Sequence, residues 1–479
     1  GERTYGDNMK TSDYSTSTAT TAPTNTTGGL TLGKWNVNLN GLKGTDTATV
    51  LSTANVNTVL NALDSGDGTP TDTLGSHTNA GTYSMDATTP GLANTKVDLT
   101  NSILAEGDGG NYDIVDGAHQ AKIDTKSVVV TTKGSKTYGD NDPALTKDAV
   151  TESGLTSWDA TSYFTDANRT AWAGEVANST DATSAAGLYG TVNVGKTGYK
   201  SSPVLTYTTD QQTAIQNAFN NNGTTSNYSV TFADDFTINK AALTLYTSGQ
   251  KVYGDTATAA NLNEITGTGF KNSDVATLAQ ATNQATLKGY VDNSKAAANG
   301  NHVGSYGTQG TDSTTAVLTY DTTEQGNIST LLGDNYTITY TDKFDITPAT
   351  LTATVTGERD YGTNLPQNSY TTADTATKGT WNVKLEGLAG GDTAATALND
   401  ANVKTVLNAI DSGDGTATTQ MGSHTNAGTY ALNGTALTGT NVVLTQANIL
   451  AQNANGKYDY TVTNGAHQAK IDKIGVTIT

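Results

Sequence analysis

Two acidic glycine loops are the first places where this chain could do chemistry. Asp64-Ser65-Gly66-Asp67-Gly68 and its copy Asp411-Ser412-Gly413-Asp414-Gly415 each hold two carboxylates in a turn. A calcium ion wants roughly six to eight oxygen ligands. Asp64, Asp67, Asp411 and Asp414 are therefore the candidate Ca²⁺ ligands, with Glu106 and Asp108 a further pair. None has the EF-hand spacing, and Gly109-Gly110-Asn111-Tyr112-Asp113 lacks the third glycine of the nonapeptide calcium repeat. Solvated turn carboxylates are the plainer reading, and no other cofactor is expected. The histidines His77, His119, His302, His424 and His467 stand alone, without the clustered partners a zinc site needs. Nucleophilic catalysis needs a base held beside a nucleophile. There is no Cys and no Gly-x-Ser-x-Gly elbow, so the expectation is a protein that is not an enzyme. Trp158, Tyr163, Phe164 and Trp172 fall close together, and Trp158, Tyr163 and Trp172 are the candidate ligand-binding residues, since an exposed aromatic ring can stack on a sugar face. Trp35 and Trp381 lie in alternating Trp-Asn-Val runs, where a core position is the simpler reading.

The composition limits what such residues could serve. The chain has 479 residues, 35% hydrophobic, with Lys+Arg 26 against Asp+Glu 45 and a net charge of −19. An acidic surface repels phosphate, which argues against nucleic acid. No apolar run reaches the length of a membrane span. Zero Cys rules out a disulfide scaffold. Charged residues are only 15%, and Tyr, Val and Ile recur in short alternating runs, which argues for folded β-structure over wholesale disorder.

The elements that would position these residues come from an internal repeat. A Tyr-Gly mark opens at Tyr5, Tyr138, Tyr253 and Tyr361. A second mark follows at Ala80-Gly81-Thr82-Tyr83, Ala186–Tyr189, Val303–Tyr306 and Ala427–Tyr430. A third closes each unit at Asn111-Tyr112, Asn227-Tyr228, Asn335-Tyr336 and Lys457-Tyr458-Asp459-Tyr460, the last aligned through Tyr458. The chain is thus four modules, 1–124, 125–239, 240–346 and 347–472, with 473–479 opening a further one. Modules 1 and 4 are near copies, since Ser76–Tyr83 recurs unchanged at Ser423–Tyr430.

Each module reads as a small α+β domain dominated by strands. In module 3, Ala242–Thr247, Val317–Tyr320 and Tyr336–Tyr340 read as strands, and Asn272–Tyr290 and Thr322–Leu332 as helices. Asn55–Leu63, Asn402–Ile410, Trp158–Val176 and Gln211–Phe219 are helical by spacing in the other modules. A module of about 115 residues is roughly 34 Å across, so four in line would form a rod on the order of 140 Å long. Junctions such as Ile346-Thr347-Pro348-Ala349 leave almost no linker. Module 1 starts at Gly1-Glu2-Arg3 without the strand that precedes Gly357-Glu358-Arg359. With no initiator Met and no apolar leader, a processed start or a piece of a longer array is the plain reading. A sharper one is head-to-tail strand exchange, in which Val476 and Ile478 fill that strand position in the next molecule.

The order Ala-x-Leu-Thr, Tyr-Gly-Asp, Ala-Gly-Thr-Tyr, Asn-Tyr-x-Ile-x-Tyr and Ile-Thr-Pro-Ala resembles the MBG/YDG-type repeats of large bacterial surface adhesins, including filamentous-haemagglutinin-like exoproteins. The clearest stretch is Asn335–Leu351 followed by Tyr361-Gly362. The resemblance implies β-grasp-like or sandwich-like modules, a secreted or cell-surface location, adhesion or biofilm cohesion, and no catalytic residues. The expected partners are neighbouring repeats or copies of the chain, and extracellular polysaccharide or a host or neighbour cell surface. The long segments Gly33–Gly75 and Gly379–Gly422 depart from the repeat pattern, as does Thr363 in place of Asp.

Overall fold

A computed structural model describes residues 1–16, 32–86, 92, 94–105, 111–298, 301–434 and 437–479. Glu106 and Asp108 lie outside the described residues. Among the described residues, 22 strands fall into five sheets, interspersed with 11 α-helices, a mixed and β-rich architecture. The chain separates into two compact units, Gly1–Asn239 and Lys240–Thr479.

In the unit Lys240–Thr479, the first strand of a module lies beside its last, in parallel. Ala241–Val252 pairs with Tyr336–Thr347 along its whole length, from Ala241↔Tyr336 to Val252↔Thr347. Parallel partners cannot be joined by a tight turn, so the intervening chain must cross over. That crossover carries the helices Asp274–Ala279, Ala281–Tyr290 and Thr322–Leu331. Ala349–Asp360 repeats the pattern, pairing in parallel with Tyr460–Asn464 and then Gln468–Asp472. Its Leu351, Ala353 and Val355 are buried while the threonines between them are half-exposed, the alternation of a strand with one face on the core. Pro348 is the only residue between the last strand of module 3 and the first of module 4. One continuous hydrophobic cluster runs from Tyr253, Phe344 and Ile346 through Leu351, Trp381 and Leu407 to Tyr460 and Ile471.

The unit Gly1–Asn239 is built alike. Lys126–Thr137 and Tyr228–Asn239 pair in parallel over twelve residues. Thr125 alone separates the strands Gln120–Asp124 and Lys126–Thr137. Module 1 does not lack its first strand altogether: Glu2–Thr4 pairs in parallel with Lys122–Asp124. It matches the second half of Ala349–Asp360, where Glu358 pairs with Lys470.

Several expected elements differ in detail. Asn272–Tyr290 is two helices broken at Gln280, which caps the first and begins the second. Trp158–Val176 likewise splits into Ser157–Tyr163 and Asp166–Glu175 around Phe164 and Thr165. Val317–Tyr320 forms no strand; Thr319 makes only an isolated bridge with Asp292. Its amides turn instead to a side chain, Asp342.

Candidate functional site

The three repeated tyrosines of each module do different work. The tyrosine of the second mark folds back on its own chain. Tyr83, Tyr189, Tyr306 and Tyr430 each donate a hydroxyl bond to the carbonyl four residues earlier, at 2.7–2.9 Å. Within each unit, one of each of the other two meets where its modules join, Tyr5 with Tyr228 and Tyr253 with Tyr460.

Tyr253 leaves the first strand of module 3 and enters module 4. Its ring packs edge-on to Tyr460, with centroids 5.4 Å apart and planes at 84°. Both hydroxyls donate to Asp392 Oδ2, Tyr253 at 3.0 Å and Tyr460 at 2.8 Å. Tyr460 also accepts from the Ala389 amide at 2.9 Å. Gly254 follows with φ +84°, and a Cβ there would lie 2.4 Å from that of Ala389, so only glycine fits the turn. In the other unit Tyr5 does the same to module 2. It stands edge-on to Tyr228 at 5.3 Å, and Asp159 Oδ2 accepts from Tyr5 at 2.8 Å and Tyr228 at 2.7 Å. Burial pushes all four tyrosine hydroxyls well above their usual range, and the hydrogen-bonded carboxylates add to this.

A second contact is shared by both junctions. The Asn227 side chain accepts from the Ala80 amide at 2.8 Å and donates to Asn79 Oδ1 at 2.9 Å. Asp459 accepts from the Val303 amide at 2.8 Å and pairs with His302 Nδ1 at 2.6 Å. Lys457 crosses the same junction to Asp312 at 2.5 Å. The receiving half of the lock recurs in the remaining modules. Tyr336 donates to Asp274 at 2.7 Å and accepts from Lys271 N at 2.8 Å. Tyr112 donates to Asp46 at 2.5 Å and accepts from Lys43 N at 3.1 Å.

This geometry corrects the alignment of the third mark. The strand registers Lys126↔Tyr228, Ala241↔Tyr336 and Ala349↔Tyr460 make Tyr460, not Tyr458, the fourth member.

The candidate calcium ligands are placed differently from one another. Asp64 and Asp411 are fully buried, and each forms an ion pair with an arginine: Asp64 Oδ2 with Arg3 Nε and Asp411 Oδ2 with Arg359 Nε, both at 3.0 Å. Met9 and Leu365 amides donate to the same oxygens at 2.7 and 2.8 Å. Burial pushes both carboxyls up and the Arg3 guanidinium down, against the attraction within the pair. Asp67 and Asp414 remain exposed in their loops. Among the described residues no three or more His, Asp or Glu converge on a site that could hold a metal ion.

Trp172 is buried and packs edge-on to Phe219 at 5.4 Å, so it offers no face to a ligand. Trp158 is covered by the ring of His77 from module 1, 4.1 Å away. Tyr163 is half-exposed beside them. Trp35 and Trp381 lie in the core. Val476 and Ile478 are exposed and outside any strand. An open groove in module 4 is lined by Asn368, Tyr370, Thr371, Asp400 and Lys404.

Two organising residues had no reading from sequence. Asp342 is buried within the strand Tyr336–Thr347 and accepts from the amides of Thr308, Val317 and Leu318 at 2.8–2.9 Å. Asp234 accepts from Thr191, Val204 and Leu205 in the same way. An acidic residue on the inward face of a strand is the signal that could have found them. No described helix is long and apolar enough to cross a membrane. Comparison of the chain with protein-family models, with characterised proteins and with solved structures finds no match.

Proposed function

We propose that the chain is a non-enzymatic structural stalk, four small modules in line, from a secreted or surface-attached bacterial adhesin or filament. Its role is reach and cohesion in cell attachment or biofilm. The observation that carries this reading is the junction lock. A tyrosine from one module is buried against a tyrosine–aspartate pair of the next, while the chain crosses the boundary through a single residue. Such joints resist bending, which suits a spacer and gives nothing to catalysis. The formal charge of −19 keeps neighbouring stalks soluble and mutually repelling.

Small-angle scattering tests the reading. Four modules in line reach on the order of 140 Å, whereas one compact globule of this length would be about 60 Å across. A maximum dimension near the smaller value refutes the stalk. The alternative, a glycan-binding array, draws on the groove around Tyr370, where a half-buried ring lies beside Asp400 and Lys404. Binding on a glycan array that is lost in Tyr370→Ala would favour it.

A further inference from the structure

We propose that His467 is an acid-sensitive staple in the sheet of module 4: its protonation takes the acceptor from the Val355 amide and parts the first strand of that module from its last. The inference goes beyond the stalk reading and does not depend on what the stalk attaches to.

The sheet has a fault at this place. Ala349–Asp360 pairs with Tyr460–Asn464 as far as Ala353↔Asn464, and resumes with Gln468–Asp472 at Thr356↔Gln468. Thr354 and Val355 therefore face three residues, Gly465, Ala466 and His467, which is a β-bulge of one extra residue. The matching strands of modules 2 and 3 pair over twelve residues without a break, and none of them contains a histidine. Glycine is needed in the bulge, because a Cβ on Gly465 would collide with the Thr354 side chain.

A bulge interrupts the ladder, and a buried amide left without a partner is costly. Here a side chain stands in for the missing carbonyl. His467 is 1% exposed, and its Nδ1 accepts from the Val355 amide at 2.9 Å. Its own carbonyl is already bonded to the Leu432 amide, at 2.9 Å. The other ring nitrogen fixes the tautomer. Asn464 Oδ1 accepts from the Leu444 amide at 2.7 Å, and Asn464 Nδ2 donates to the Leu444 carbonyl at 2.9 Å. The atom 2.9 Å from His467 Nε2 is thus an oxygen, so Nε2 carries the proton and Nδ1 is bare. The neutral ring satisfies both neighbours. A protonated ring has an N–H at each nitrogen and sets one donor against another at Val355.

Among the described residues no carboxylate offsets that conflict. The charged residues of the surrounding strands are engaged with other groups: Glu358 and Asp472 with Lys470, Arg359 with Asp411, Asp360 with Lys378, and Lys384 with Glu386. Tyr430 and Tyr460 donate to the Asn426 carbonyl and to Asp392. Burial pushes the His467 imidazole below its usual range. The opened chain thus takes up a proton first as the pH falls. The staple's contribution is complete above about pH 6.5 and is lost as the pH drops below it.

Hydrogen exchange of the whole chain, corrected for the intrinsic rate at each pH, tests the proposal. Between about pH 8 and about pH 5, the opening that exposes the Val355 amide should rise roughly tenfold per unit below about 6.5. The amides of Ala241–Val252 in module 3 should show no such rise. Imidazole nitrogen shifts should report a bare Nδ1 and a protonated Nε2 on His467 at neutral pH. His467→Gln keeps an oxygen to accept and an amide to donate but does not titrate, so it should flatten the acid rise. A proton on Nδ1 at neutral pH, exchange at Val355 that tracks module 3 at every pH, or an acid rise that survives in His467→Gln overturns the proposal. Should that variant fail to fold, the two readings on the parent chain decide alone.

Discussion

Replacing Tyr253 by Ala should separate modules 3 and 4 energetically. The side chain is 3% exposed and wedged between Tyr460 and His302, whose ring centroids lie 5.4 and 6.2 Å away. Truncating a buried aromatic to Ala costs about 3–5 kcal/mol. The hydroxyl also donates to the Asp392 carboxylate at 3.0 Å. A bond to a charged acceptor contributes about 1.5–3 kcal/mol. Asp392 is only half-buried and keeps the Tyr460 bond, so the lower figure applies. Tyr253→Ala should therefore destabilise Lys240–Thr479 by about 5 kcal/mol and Tyr253→Phe by about 1.5 kcal/mol. For a unit of this size each kcal/mol moves Tm by about 2–4 °C, so the Ala variant should melt on the order of 10–20 °C lower. Calorimetry of the whole chain reads the shift. Hydrogen exchange locates it, through faster exchange at Ala349–Ala353 and Tyr460. If the Ala variant melts within about 2 °C of the parent, or those amides exchange unchanged, Tyr253 is a surface turn residue and the lock does not exist.

Asp411→Ala leaves Arg359, 2% exposed, without its carboxylate, and should cost about 3–5 kcal/mol in urea unfolding. The pair Arg359→Met with Asp411→Leu should recover only part of that loss, because it removes both buried charges but leaves the Leu365 amide and the Gly422 carbonyl without partners. Asp342→Ala strips three backbone amides of their acceptor and should cost about 3 kcal/mol or more, with the exchange of Thr308, Val317 and Leu318 amides accelerated first. Stability should also fall at alkaline pH. Burial pushes the Tyr320 hydroxyl up to about 12, and those of Tyr5, Tyr228, Tyr253 and Tyr460 higher. The unfolded chain loses these protons near pH 10 while the folded chain keeps them. Their contribution is thus complete below about pH 10 and declines as pH rises through 12, by up to about 1.4 kcal/mol per unit for each such tyrosine. Urea midpoints that stay level from pH 8 to 11.5 would contradict it.

Elements built from residues close in sequence are legible in the sequence alone. The helices Thr53–Leu63, Thr209–Phe219 and Asp400–Ile410 lie where apolar spacing put Asn55–Leu63, Gln211–Phe219 and Asn402–Ile410, each beginning two residues earlier. The chain divides into two units at Asn239, which is one of the boundaries read from the repeat marks. What stays hidden joins distant parts of the chain. Tyr5 reaches Asp159 across 154 positions and Tyr253 reaches Asp392 across 139, and no window of sequence contains both partners. Val317–Tyr320 reads as a strand because its side chains suit one, yet its amides are taken by Asp342, which local propensity cannot register. The loop carboxylates Asp64 and Asp411 read as solvated because glycines flank them, and buried arginines claim them instead.

By itself the sequence pointed to a repeated unit, to where most of its helices and the two long strands of module 3 lie, and to an acidic surface, since periodicity, turn chemistry and charge are properties of neighbouring residues. The tertiary structure alone decided that the Tyr-Gly mark at Tyr5 and at Tyr253 is a joint between modules. A tyrosine reads the same in a turn or a core, and only the docking of the next module's aspartate and tyrosine around it distinguishes the two.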